Sequence, residues 1–175
     1  MTQSQHAAVR AAVMVTLIVL GFALLHEQSQ HLEAKAAAGL TDLVTWSHRV
    51  VGRQTSLEIN PYTATPFRAV LTPSCSALAS MLTVVALSFI TVHYPWRRRL
   101  LGTAAAVFAI AVGNVVRISA SVGAGMVAGR ASTILFHDWV GGALTFVYTL
   151  LGFALMLFIV LPDRGAERMD ALVGR

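Results

Sequence analysis

Residues 75–122 read CSALASMLTVVALSFITVHYPWRRRLLGTAAAVFAIAVGNVVRISASV, two apolar runs joined by three consecutive arginines. Crossing a bilayer takes roughly 20 mostly apolar residues, and Cys75–Tyr94 and Leu100–Val122 meet that length. Working outward, Val9–Leu25 and Trp139–Leu161 are two further runs of the same kind. The sequence therefore predicts an all-α membrane protein of about four transmembrane helices, with residues 1–175 forming a single integral membrane domain. Composition agrees: 56% of the 175 residues are hydrophobic and 12% charged, whereas soluble domains carry about a quarter charged residues. The lipid bilayer is the first partner the chain requires.

Lysine and arginine in short loops stay on the cytoplasmic side. Arg97-Arg98-Arg99 puts the second turn inside, and Arg10, Arg164 and Arg168 agree, with Arg130 in the second outer loop as an exception. Both termini are then expected in the cytoplasm of a plasma (inner) membrane protein. The net charge of +5 follows this topology pattern, and no basic stripe with interleaved aromatics points to nucleic acid. The first run, with Arg10 ahead of a short apolar stretch, also has the form of a secretory signal. The small residues Ala36-Ala37-Ala38 lie far beyond it, however, which favours an uncleaved anchor.

The first outer loop, His26 to Ser74, contains two kinds of sequence. Leu32, Ala36, Leu40, Leu43, Val44, Val50 and Val51 recur at roughly helical spacing between Glu33, Lys35, Asp42 and Arg49, the pattern of an amphipathic helix. Leu57–Leu71, with Pro61, Pro66 and several β-branched residues, is expected to be extended, as a short hairpin just before Cys75.

This topology brings three reactive residue types to one outer face. Cys75 is the only cysteine, so a disulfide framework and a thiolate-rich metal cluster are excluded, leaving packing or chemistry. Thr72-Pro73-Ser74 ahead of it is a helix-start signal. That start would bring the positive end of a helix dipole to the thiol. Arg117 lies inside an apolar run, where an arginine is a functional candidate by default. Asn114 and Ser121, at i−3 and i+4, extend a polar stripe on its face. His137 precedes the fourth run, and Gly141 and Gly142, a turn later, permit close approach of a helix or substrate backbone. Asp138 reads as a helix N-cap. His93 and His6 fall on the inner side, while His26, His31 and His48 share the outer loop and stay alternatives to His137. Each residue has a plainer reading: a buried small hydrophobe for Cys75, a snorkelling or bundle-locking cation for Arg117, an interfacial polar group for His137. On that reading the chain is a non-catalytic helical scaffold or assembly factor.

Thr72-Pro73-Ser74-Cys75-Ser76, Asn114-Val115-Val116-Arg117 and His137-Asp138-Trp139-Val140-Gly141 together resemble the cysteine, arginine and histidine motifs of the exosortase/archaeosortase family, in order and approximate spacing. The resemblance covers residues 67–150, which would be the catalytic core. It implies a membrane cysteine transpeptidase acting on secreted proteins with a C-terminal sorting tail: a short motif, a transmembrane helix and a basic end. Cys75, Arg117 and His137 would be catalytic, with Asn114, Ser76 and Gly141 in binding or supporting roles and no metal or organic cofactor. Two features depart from the family: Ala77 stands where many members have glycine, and the chain is short beside bacterial members with about eight spans. Whether the resting Cys75–His137 pair is neutral or charged, and whether an amine or water ends the reaction, is open at this level.

Overall fold

A computed structural model describes residues 3–45, 49–60, 67–89 and 94–161. The elements in order are α1 (Gln3–Val44), β1 (Val50–Arg53), β2 (Ser56–Ile59), β3 (Phe67–Val70), a 3-10 turn (Pro73–Cys75), α2 (Leu78–Ser88), α3 (Trp96–Ala128), α4 (Arg130–Leu135), a π-helical turn (Phe136–Val140) and α5 (Gly141–Val160). Helices dominate, and three stretches are long and apolar enough to cross a membrane: Ala11–Val44, Trp96–Ala128 and Ala131–Val160. Their large apolar side chains, among them Val19, Leu24, Phe108, Phe146, Leu151 and Phe158, lie exposed on the surface. Lipid satisfies such a surface where water would not.

Several expectations change in detail. The first apolar run and the amphipathic stretch are one uninterrupted helix of 42 residues, about 63 Å long at the α-helical rise. Val50 and Val51, counted above with the amphipathic pattern, belong instead to β1. The second run forms an α-helix over only 11 residues, Leu78–Ser88, about 17 Å and half a hydrocarbon core. Residues 90–93, with His93, fall outside the described residues. So do His48, Pro61, Pro66, Arg164 and Arg168. The arginine triplet is not a loop but the first turn of α3, where the helix dipole disfavours cations. Arg99 turns back instead, donating from Nε and Nη2 to the Ser88 carbonyl at 3.2 and 3.0 Å, and so serves the C-terminal end of α2. The fourth helix starts earlier than predicted, at Arg130, so Asp138 is no N-cap: it lies within the π-helical turn of a continuing helical run.

The extended segment is larger than a hairpin. β1, β2 and β3 form an antiparallel sheet in that order, with Arg53 opposite Ser56 across a two-residue turn and Leu57 opposite Ala69. The sheet rests on α1. Ala34, Ala37 and Ala38 pack with Val50, Leu57, Ile59, Leu71 and Cys75 in one cluster, which Ile118 and Val122 of α3 complete. Ala37 and Ala38 of the alanine run that resembles a cleavage site, with Ala34, thus form a flat face for the sheet to sit on. Gly52 makes the contact possible, because a Cβ there would stand 2.9 Å from the Ala34 carbonyl oxygen and 3.1 Å from the Lys35 Cα, both backbone atoms that cannot move aside. The Val50 N–H donates to Asp42 Oδ1 at 3.1 Å, tying the sheet's first strand to the end of α1.

The second core lies between α3 and α5. Buried residues on α3 recur about every four positions, Gly102, Ala106, Ile110, Asn114, Arg117 or Ile118, and Ser121 or Val122. Gly102, Ala106, Ile110 and Arg117 of this stripe meet Val160, Gly152 and Gly141 of α5, while Ile118 and Val122 face the sheet. The two helices run antiparallel, reversing through Gly129, whose φ of 82° is in the left-handed region that favours glycine. Gly152 and Gly113 let the backbones approach: added Cβ atoms would stand 2.7 Å from Ile110 Cγ1 and 2.8 Å from the Tyr148 ring.

Candidate active site at Cys75

Cys75 ends the 3-10 turn three residues before α2 begins, so its thiol precedes the helix rather than lying in the first turn. The proline at position 73 starts the turn, and the Cys75 N–H donates to the Thr72 carbonyl at 2.9 Å. Ser76 is extended, with φ −80° and ψ 140°. Its hydroxyl accepts from the Leu78 N–H, the first of α2, at 3.2 Å.

Cys75 is 8% exposed, and its Sγ lies 3.5 Å from His137 Nε2 and 3.2 Å from the Thr72 hydroxyl. Thr72 also meets Ser74 Oγ at 2.8 Å. His137 reaches the sulfur from the π-helical turn, whose wider winding separates α4 from α5. The thiol and imidazole border a cleft of about 150 Å³ with Leu57, Ala69, Val70, Leu71, Ile118 and Thr133. Thr133 sits four residues before His137, and its buried hydroxyl has no hydrogen-bond partner among the described residues.

Arg117 is 4% exposed and Asn114 fully buried. Both donate to the Cys75 carbonyl, Asn114 Nδ2 at 3.0 Å and Arg117 Nη2 closely. Arg117 Nε donates to Asn114 Oδ1 at 3.0 Å, which fixes the amide's orientation. The Tyr148 hydroxyl donates to the same oxygen at 3.1 Å. The remaining guanidinium nitrogen, Nη1, lies beside Gly141, where a Cβ would come to 3.4 Å of it. The tightest contact of such a Cβ would be with the Phe136 carbonyl oxygen, at 3.3 Å. Ser121 Oγ donates to the Arg117 carbonyl at 2.9 Å, on the same face of α3.

The structure thus brings together Cys75, His137, Arg117, Asn114 and Gly141, and Ser76 adjoins them. His26 and His31 line a different cleft, with Glu27, Gln54 and Pro73. Three contributors were missed by sequence reasoning. Thr72 was read as a helix-start residue and as part of the cysteine motif but given no role at the sulfur, Tyr148 lies in an apolar run with nothing to single it out, and Glu33 reads as one charge among several on an amphipathic helix. Glu33 is 6% exposed and accepts from the Ala77 N–H at 3.0 Å and the Ser76 hydroxyl at 3.2 Å. No group of three or more metal-ligating side chains occurs among the described residues.

A thiol facing an imidazole, flanked by a buried guanidinium, suits nucleophilic acyl chemistry. Residues 2–159 match the family model for transmembrane exosortase, a wider stretch than the 67–150 spanned by the three motifs. No curated protein and no solved structure matches the chain. The chain belongs to the transmembrane exosortase family and is a multi-pass membrane protein.

Proposed function

We propose that this exosortase-family chain is a membrane-embedded cysteine transpeptidase that cleaves the C-terminal sorting tails of membrane-anchored secreted proteins at the outer membrane face. The observation that carries the reading is the 3.5 Å approach of Cys75 Sγ to His137 Nε2, across elements 62 residues apart in sequence. With the imidazole proton on Nδ1, Nε2 takes the thiol proton as sulfur attacks the scissile carbonyl. The tetrahedral intermediate collapses as the C–N bond breaks, and His137 returns the proton to the leaving amine. The substrate's amino-terminal portion remains on Cys75 as a thioester until an amine or water attacks it.

Arg117 has two tasks in this scheme. Nη2 and Asn114 hold the Cys75 carbonyl, which orients the nucleophile's own backbone. Nη1, beside Gly141, is the donor left to stabilise the developing oxyanion, in a low-dielectric site where each donor counts for more. The sheet supports a substrate role as well. β3 is an edge strand and leads through Leu71 and Thr72 into the cysteine turn, so a peptide pairing with it would be delivered to the cleft.

The reading includes a topology of four crossings, with the apolar run Cys75–Tyr94 as the second. The arginine triplet and both termini would be cytoplasmic and Cys75 external. Membrane-impermeant labelling of cysteines introduced at positions 98 and 132 tests this: position 132 should react and position 98 should not. The test of the chemistry is cleavage of a protein with a sorting tail, together with a trapped Cys75 thioester, normalised to inserted protein. Processing by Cys75→Ala at the wild-type rate would leave the scaffold reading in its place.

A further inference from the structure

We infer that Glu33 of α1 is a positioning residue for the Cys75 nucleophile, holding the Ala77 end of the Cys75–Ala77 segment whose other end Arg117 holds. The inference rests on the nucleophile role given to Cys75 above. Glu33 Oε1 accepts from the Ala77 N–H at 3.0 Å, the Ser76 hydroxyl at 3.2 Å and the Ser29 hydroxyl at 3.4 Å. Ser29 in turn lies 3.2 Å from Ser76 Oγ. Oε2 is buried and has no partner among the described residues. Burying a carboxyl merely to join two helices is unfavourable, since apolar side chains would do it without desolvating an acid. What the carboxyl supplies here is an acceptor at one defined point of the backbone.

That point decides the local conformation. Cys75 is in a 3-10 turn, Ser76 is extended and α2 starts at Leu78. If the Ala77 N–H were free to bond back to the Pro73 carbonyl, the helix could grow backwards through Ser76 and rotate the Cys75 Cα–Cβ bond away from His137. Glu33 occupies that N–H. It also engages the Ser76 hydroxyl, which accepts from the Leu78 N–H at the start of α2. Arg117 and Asn114 take the carbonyl at the other end of the same three residues. The cysteine turn is thus held at both ends, by a cation and an amide from α3 and by an acid from α1.

Cys75 is the only thiol in the chain, so its rate of alkylation by N-ethylmaleimide in the full-length, membrane-inserted protein reads its placement without any substrate. Glu33→Ala should slow alkylation on the order of tenfold, as loss of a partner that orients a reactive group does. Glu33→Gln keeps a carbonyl oxygen for the Ala77 N–H and should stay within about threefold of wild type. In a His137→Ala background, Glu33→Ala should have no further effect, because the lost alignment is that of sulfur with imidazole. In the processing assay Glu33→Ala should lower kcat and spare KM. Should Glu33→Ala fail to insert, Ser76→Ala decides, and should slow alkylation about threefold. Wild-type alkylation in the inserted variants, Glu33→Gln as slow as Glu33→Ala, or an undiminished effect without His137 would each overturn the positioning role. Because alkylation needs no sorting tail, a protein that cleaves nothing can still pass or fail this test.

Discussion

The two flanks of Cys75 are built from opposite materials. On the α3 flank a guanidinium and an amide, both almost wholly buried, converge on one carbonyl. On the α1 flank a single carboxyl stands among serines and alanines, and the packing is of a sheet against a flat helix face. In the proposed reaction the α3 side would act on charge that develops, whereas the α1 side would set where the backbone lies. Losses on the first should therefore appear in turnover, and losses on the second in geometry and stability.

The sharpest way to break this contrast is at the residue both flanks hold. Cys75→Ala and Cys75→Ser should abolish substrate cleavage with insertion unchanged, because a serine hydroxyl is far harder to ionise than a thiol and His137 is the base available to it. Detectable cleavage by the serine variant, scored by the mass of the released tail, would mean that the site activates oxygen as well as sulfur. His137→Ala should be nearly inactive, and adding it to Cys75→Ala should cost nothing more, because in the proposed mechanism the two act as a unit.

Arg117→Lys keeps the charge but not the fork. A lysine cannot hold the Cys75 carbonyl and Asn114 Oδ1 while also presenting a donor near Gly141, so turnover should fall by about 10²–10³-fold. Single-turnover rates on inserted protein measure this, and a loss under about fivefold would assign Arg117 to charge alone.

On the other flank, Gly52→Ala should leave the α3 contacts intact while pressing a methyl group into α1 backbone. Overpacking of this kind costs about 1–3 kcal/mol. Limited proteolysis of the inserted protein should find the sheet cut earlier than in wild type, and unchanged protection would show that the sheet does not depend on close seating against α1. Tyr148→Phe should be the mildest, removing one of the hydrogen bonds to Asn114 Oδ1 while Arg117 Nε remains. About a threefold fall in turnover is expected, and a loss as large as that of Arg117→Lys would make Tyr148 a principal support of the amide.

The same contrast explains what could be read from the sequence. Asn114 and Arg117 are conspicuous because they interrupt an apolar run, and Cys75 because it is alone. Glu33 was hidden by the reverse circumstance: beside Lys35, Asp42 and Arg49 it looks like part of a solvated face, whereas in the fold it is buried and bonded to Ser76 and Ala77. The helices were legible from hydropathy, but not the union of the first run with the amphipathic stretch, because a change of environment along one helix looks like a boundary. Helical and strand patterns also overlap near Val50, where apolar spacing fits either period. The shortness of α2 was concealed in turn, since an apolar run specifies burial but not how much of it is helical.

The double grip on Cys75 also limits how the residue can move. Its N–H is bonded to Thr72 and its carbonyl to Asn114 and Arg117, so the main freedom left to the sulfur is rotation about the Cα–Cβ bond. Such a rotor has three staggered stops, and the one described sets the sulfur against both the Thr72 hydroxyl and the imidazole. An acyl group carried on that sulfur would swing on the same single axle. Its reach toward an incoming amine is therefore an arc about a fixed hinge, and the incoming nucleophile, rather than the protein backbone, must travel the remaining distance.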